Sequence, residues 1–161
     1  MMRSATSAVE STVTPEESGM ERGLADVAAS YARLMGWPVV VSDNGILLPL
    51  SPASTALTMP EHLGQGVLAG LKARMLAGPV LALPGPQPRW VFLAELVALL
   101  PTQLTSPFEV QFVRAPHQVL LPPTQTTHGP VRWANPPTPS RRWFPPFTAV
   151  LAIARMVATE R

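Results

Sequence analysis

The chain has 161 residues, of which 47% are hydrophobic, enough for one globular domain, and its lack of cysteine excludes disulfides and thiolate metal sites. Only 14% of the residues are charged, against roughly 25% in typical soluble domains, and the 20 prolines are more than twice the usual ~5%, which predicts a compact body with rigid loops. The net charge of +2 combines −3 over residues 1–43 with +5 over residues 44–161, a weakly basic body that falls short of a nucleic-acid-binding stripe.

The first 22 residues are rich in Ser, Thr, Ala and Glu and lack apolar periodicity, which predicts a disordered tail. They have no apolar segment behind a basic one, so no secretory signal is expected. No stretch reaches the ~18 apolar residues that a membrane span needs. We therefore expect a cytoplasmic protein without membrane contact, with one domain over residues 23–161.

The domain is predicted to begin with a helix and a hairpin. Apolar residues recur at helical spacing over residues 23–35, and Gly36 is typical of a helix end in the left-handed conformation. Residues 39–41 and 46–48 are strand-like, and the turn at 43–45 reads Asp-Asn-Gly, a strong hairpin signal.

A second helix is predicted after a loop over residues 49–54. Thr58 to Glu61 fits a capping box, in which the hydroxyl and the carboxylate satisfy free amides at a helix start. The helix should end near Gly78 and bury Leu63, Val67, Leu68, Leu71 and Met75. Three glycines lower its stability by up to ~1 kcal/mol each unless something packs closely against them: Gly64, Gly66 and Gly70.

The second half is predicted to consist mainly of strands. Residues 80–83 and 89–93 form a hairpin around a proline-rich turn, and residues 95–100 form a short helix. Further strands are expected over residues 108–112, 118–121 and 131–133, before a closing helix over residues 147–158. This order predicts an α+β domain with a mostly antiparallel sheet and flanking helices.

The sequence offers little for catalysis. After Asp43 there is no aspartate, and the four later glutamates stand far apart, whereas two-metal phosphoryl transfer needs clustered carboxylates. The three histidines have no ligand spacing, although a zinc site built from them stays an alternative: His62, His117 and His128. No nucleophile elbow or phosphate-binding glycine motif occurs. We predict no catalytic residue, no metal site and no cofactor, and an unrelated hydrolase or metal enzyme is the least favoured function.

Three Arg-Trp pairs favour binding, because guanidinium groups neutralise phosphates and indoles stack on bases. In a strand the alternative is that each Trp packs in the core and each Arg faces water. That alternative is favoured for Trp90, which precedes a buried run, whereas prolines over residues 134–146 predict a loop that exposes Trp143. The candidate nucleic-acid-binding residues are Arg114, Arg132, Trp133, Arg141, Arg142 and Trp143.

Two segments resemble one known family. Residues 29–39 (ASYARLMGWPV) and 114–124 (RAPHQVLLPPT), the latter followed by Gly129, Arg132 and Trp133, are similar to the bifunctional DNA primase-polymerase N-terminal domain. The resemblance implies that family's α+β fold. The family's catalytic acidic motif and its later aspartate have no counterpart here, so the resemblance implies a small degenerate member without the metal site.

Two hypotheses follow. The first is a catalytically inactive primase-polymerase-like domain that acts by binding, with single-stranded nucleic acid as the partner in replication or its regulation. The second is a non-enzymatic regulatory protein that binds a protein partner through its proline-rich C-terminal region. Neither hypothesis predicts an oligomeric state.

Overall fold

The structure is a computed structural model that describes residues 15–96 and 109–160. Its helices are α1 (Pro15–Ser30), continued by a π-helical segment (Tyr31–Met35), α2 (Glu61–Ala73) and α3 (Phe147–Thr159). Its strands are β1 (Val40–Ser42), β2 (Gly45–Pro49), β3 (Ser54–Pro60), β4 (Val80–Leu83), β5 (Arg89–Glu95), β6 (Gln111–Arg114), β7 (Gln118–Leu121), β8 (Gln125–Thr126), β9 (Gly129–Pro130) and β10 (Arg132–Asn135).

Five strands form the central antiparallel sheet, in the order β10-β4-β5-β3-β6. β3 lies between β5 and β6, with Leu57 opposite both Phe92 and Phe112. β10 pairs with β4, and its register shifts between Trp133 and Asn135. β6 and β10 are therefore the two edges of this sheet.

Alternation along the central strands divides the core in two, because successive residues point to opposite faces. On one face Leu57 and Phe92 pack with α2 and α3. On the other face Ala56 and Leu93 pack with α1 and with residues such as Ile46 of a second sheet, ordered β1-β2-β7. The domain thus has a helical layer, a five-stranded sheet, and a layer formed by the smaller sheet and α1.

A buried threonine joins the smaller sheet to the turn after β7. Thr124 Oγ1 accepts a hydrogen bond from the Ile46 amide at 2.8 Å and donates to the Leu121 carbonyl at 2.6 Å. Gly45 packs directly against this side chain and leaves no space for a Cβ. The polar group is 2% exposed but satisfied, as buried hydroxyls usually are.

Most of the expected architecture is confirmed: an α+β fold, mostly antiparallel sheets, both hairpins, and Gly36 in the left-handed conformation with φ 70°. Helix α1 begins at Pro15, inside the segment 1–22 that was expected to be a disordered tail. The glycines of α2 do meet close neighbours, since a Cβ at Gly66 or Gly70 would lie 2.7 Å from a side chain of α3.

The predicted capping box at Thr58 is wrong. Thr58 belongs to β3, its hydroxyl accepts a hydrogen bond from Arg89 Nη2 at 3.0 Å, and Pro60 occupies the N-cap without a side-chain bond. The Glu61 amide donates instead to the Pro88 carbonyl at 3.1 Å. β3 had not been expected at all, and it begins at Ser54, the last residue of the predicted loop.

Two further predicted elements differ. The strand expected over residues 108–112 runs over Gln111–Arg114, and residue 108 lies outside the described residues. Of the short helix predicted over residues 95–100, Glu95 is the last residue of β5, and residues 97–100 also lie outside the described part.

Candidate nucleic-acid interface

The six predicted binding residues do not form one surface. Arg114 ends β6 and Arg132 begins β10, so the two guanidiniums belong to opposite edges of the central sheet. Four inter-strand spacings of ~4.8 Å separate these strands, which puts the two backbones about 19 Å apart. Arg141, Arg142 and Trp143 lie together in the loop between β10 and α3. This loop, residues 136–146, is the candidate site.

Trp133 is built into an aromatic cluster with Tyr31, Trp37 and Phe144. Its ring centroid lies 6.3 Å from that of Tyr31 and 6.2 Å from that of Trp37, and Phe144 lies 5.7 Å from Trp37. Trp133 Nε1 donates to the Tyr31 hydroxyl at 3.3 Å, and that hydroxyl donates to the Pro122 carbonyl at 2.8 Å. Trp133 thus connects β10 to the π-helical segment.

Burial of the Tyr31 phenol raises its pKa above the ordinary value, and the hydrogen bond from Trp133 offsets only part of this rise. The desolvated oxygen is therefore held in its neutral form, in which it can donate to Pro122. This arrangement stabilises the cluster and offers no charge to a ligand.

Two hydrogen bonds fix the ends of the 136–146 loop to the fold, and a third closes a turn within it. At its start, Asn135 Nδ2 donates to the Gly78 carbonyl at 2.8 Å. In its middle, the Arg141 amide closes a turn on the Thr138 carbonyl at 2.9 Å. At its end, the Glu95 amide donates to the Pro145 carbonyl at 2.8 Å. The loop is held at both ends, so its side chains have a defined position relative to α2.

An open groove of about 850 Å³ lies between this loop and the C-terminal end of α2. Lys72, Met75 and Leu76 contribute to it from the helix side, and Arg141 and Trp143 from the loop. Met75 is 90% exposed and Trp143 is 71% exposed, the two highest values among the large apolar side chains that the structure describes as exposed. Such a concentration of exposed apolar surface is typical of a binding site.

The groove is electrostatically one-sided. Lys72 and Arg141 line it, and no carboxylate is present among the described residues of its lining. Arg142 lies with its guanidinium carbon 5.4 Å from the centroid of the Trp143 ring, in cation–π geometry. Arg74 is turned away, because its Nη1 donates to the Gly70 carbonyl of α2 at 3.0 Å. The groove is therefore suited to an anionic ligand with apolar parts.

Met75 was expected on the buried side of α2, and this is wrong. The helix ends at Ala73, and Met75 takes the left-handed conformation with φ 57°, which turns its side chain into solvent. Such a conformation costs a residue with a Cβ about 1–2 kcal/mol. Sequence reasoning also missed Lys72 as a site residue. The available signal was a helix C-terminus with Lys and Arg followed by Met where Gly is usual.

A second polar cluster lies at the N-terminal end of α2. His62 Nε2 is 3.6 Å from Glu109 Oε1, so an acid that is remote in sequence becomes a neighbour in the fold. Both side chains are well exposed, which makes the pair a weak contributor to stability. Within residues 15–96 and 109–160, no three His, Asp or Glu side chains gather as a possible metal-binding group.

Comparison of the chain with family models, with curated proteins and with solved structures finds no match. The resemblance to the primase-polymerase family therefore stays a prediction. None of the helices in the described parts of the chain is both long and apolar enough to cross a membrane.

Proposed function

We propose that this chain is a non-catalytic, cytoplasmic protein that binds single-stranded nucleic acid, as a primase-polymerase-like domain without catalysis would do in replication or its regulation. The observation that carries the proposal is the groove, where the 71% exposed Trp143 lies beside cationic side chains of both α2 and the 136–146 loop.

The chemistry of the groove matches a strand of unpaired nucleotides. Lys72 and Arg141 can each neutralise a phosphate, and release of the condensed counterions then favours binding. The Trp143 indole offers a flat apolar face, and base–aromatic stacking contributes about 1–3 kcal/mol per base without sequence preference. A duplex hides its bases, so it would gain only the phosphate contacts.

A binding role also fits the distribution of acidic residues. The three glutamates of the central body, Glu61, Glu95 and Glu109, belong to no group of three possible metal ligands within the described residues. Residues 97–108 contain no acid in their sequence. We therefore propose binding without phosphoryl transfer.

The test is a titration of labelled single-stranded DNA and RNA with the full chain, followed by fluorescence anisotropy at several salt concentrations. With two phosphate contacts, from Lys72 and Arg141, the logarithm of the binding constant should fall with the logarithm of salt at a slope of about −1.4. Replacing Arg141 and Arg142 by Ala should flatten that slope, and Trp143→Ala should weaken binding about fivefold or more.

Arg114→Ala is the matched control, since Arg114 is an exposed arginine on the opposite edge of the sheet. It should leave the affinity unchanged. Equal losses for Arg114→Ala and Arg141→Ala would assign binding to diffuse charge and not to the groove. Absence of any binding at about 50 mM salt would overturn the proposal.

A second candidate function is binding of a protein partner through the same proline-rich loop. It is favoured by the prolines of the groove, Pro136, Pro145 and Pro146, which add rigid apolar surface without hydrogen-bond donors. A defined hetero-complex or homodimer that resists nuclease and is lost in Trp143→Ala would support it. A complex that nuclease dissolves would count against it.

A further inference from the structure

Met75 combines two unfavourable features at one position. It is the one residue other than glycine with a positive φ in the part of the chain that the structure describes, and its apolar side chain is 90% exposed. A glycine there would avoid the backbone strain, and a polar residue would avoid the exposure. Backbone strain and side-chain exposure occur together at Met75, which lines a groove. This combination indicates that the side chain contacts a ligand.

Trp143 lies in the same groove, on the loop side. Arg142 covers its ring at 5.4 Å from the centroid but does not itself line the groove. Trp143 is 71% exposed and lines the groove, so part of its indole surface is accessible to a ligand there. We call the part of the groove that Met75 and Trp143 line the slot. A polarizable thioether and an indole are both suited to packing against a flat aromatic ligand.

Each wall of the slot carries a cation close by in sequence. Lys72 precedes Met75 by three residues and Arg141 precedes Trp143 by two, and both cations line the groove. A flat apolar group with a negative charge on either side of it is the chemistry of an unpaired base within a strand, flanked by two phosphates. An acidic peptide would match the charges, but it offers an equally flat group only if an aromatic residue stands between its carboxylates.

We propose that the slot between Met75 and Trp143 accepts one unpaired base of a single strand, while Lys72 and Arg141 contact the flanking phosphates. This inference rests on the proposed function and goes further: the groove recognises bases, and not polyanion charge alone. Met75 is then a specificity-determining residue that distinguishes a strand with accessible bases from a duplex or an abasic backbone.

The experiment compares three probes on the full chain: a labelled oligothymidylate of about 12 nucleotides, an abasic strand with the same number of phosphates, and a blunt duplex. Wild type should bind the oligothymidylate roughly five- to one-hundred-fold more tightly than the abasic strand. Met75→Gly, which suits the left-handed backbone, should weaken oligothymidylate binding about fivefold and leave abasic binding unchanged. Met75→Leu should retain most of the affinity.

The outcomes separate the two proposals. Equal affinity for the normal and the abasic strand would overturn base recognition and leave polyanion binding intact. No binding of any nucleic acid at low salt would overturn both. Two results would assign the slot to a protein segment and overturn the base proposal: a dimer in sedimentation, or an acidic peptide that binds more tightly than the strand. In either case the interaction should be lost in Met75→Gly. Circular dichroism of Met75→Gly verifies that the variant is folded.

Discussion

Arg132-Trp133 and Arg142-Trp143 are the same dipeptide, ten residues apart, and the fold uses them in opposite ways. The first pair lies in β10, where Trp133 is half-buried among Tyr31, Trp37 and Phe144. The second lies in the 136–146 loop, where Trp143 is 71% exposed and Arg142 lies over its ring.

The backbone accounts for the difference. In a strand, neighbouring side chains point to opposite faces, so β10 sends Trp133 to the aromatic cluster and leaves Arg132 in solvent. In a loop this constraint is absent, and a guanidinium can lie over the indole that follows it. An Arg-Trp pair is therefore a binding signal only where the backbone is not paired in a sheet.

The largest expected contrast between the two pairs is in stability. Trp133→Ala removes two ring contacts and one hydrogen bond from a half-buried site. We expect the free energy of unfolding to fall by about 2–3 kcal/mol, which is less than the ~3–5 kcal/mol for fully buried tryptophans. Trp143→Ala should cost no more than about 0.5 kcal/mol, as exposed substitutions usually do. Urea unfolding of both variants measures this. Similar losses would show that Trp143 is part of the core.

A smaller effect is expected from Tyr31→Phe, which keeps the ring but removes the hydroxyl between Trp133 Nε1 and the Pro122 carbonyl. Two groups lose their partner, and half-burial lets water replace part of the loss, so we expect about 1–2 kcal/mol. Nucleic-acid affinity should not change, because the Tyr31 hydroxyl bonds to Trp133 and Pro122 and does not line the groove.

The pH dependence of the same variant identifies the cause. The pKa of Tyr31 is raised in the folded chain, so the stability linked to it is complete below the ordinary value of about 10 and is lost as pH rises through the folded pKa. Wild type should therefore lose stability above about pH 10 more steeply than Tyr31→Phe. Parallel curves up to pH 11 would refute this assignment; that limit is roughly one unit above the ordinary tyrosine value.

Local patterns predicted the elements that carry their own signals. The Asp-Asn-Gly turn gave the β1–β2 hairpin, and the apolar spacing before Gly36 gave the first helix up to Met35. β3 has no comparable signal. Its sequence STALTMP mixes small and polar residues, and Thr58 with Glu61 imitates a capping box. The strand is specified by β5 and β6, which pair with it on both sides.

Only the loop side of the groove could be predicted, because the helix side has no local signal that places it beside the loop. The proline-rich surroundings of Trp143, Arg141 and Arg142 indicate an exposed loop. Lys72 and Met75, however, belong to the C-terminal end of α2 and the residues after it, about 70 residues earlier in the chain. Nothing in that helix indicates which loop will lie beside it. The contact depends on the Asn135 bond to Gly78 and on Pro145 packing against Gly78, both of which are tertiary interactions.

The smallest effect on stability is expected from substitutions at the ends of the two helices. Gly36 ends the segment beside the aromatic cluster with φ 70°, and Met75 follows α2 with φ 57°, so the same left-handed conformation is occupied by glycine in one region and by methionine in the other. Met75→Gly should raise the free energy of unfolding by about 0.5–1 kcal/mol, because it relieves strain.

Gly36→Ala is the matched control and should lower the free energy of unfolding by about 1 kcal/mol. A Cβ at Gly36 would meet nothing within 4 Å, so the cost comes from the backbone conformation alone. Thermal unfolding of both variants gives the comparison. If Met75→Gly is stabilising and also weakens strand binding, then the methionine is kept at the expense of stability and for the ligand. A destabilising Met75→Gly would instead make Met75 a packing residue, and the groove would lose its second wall.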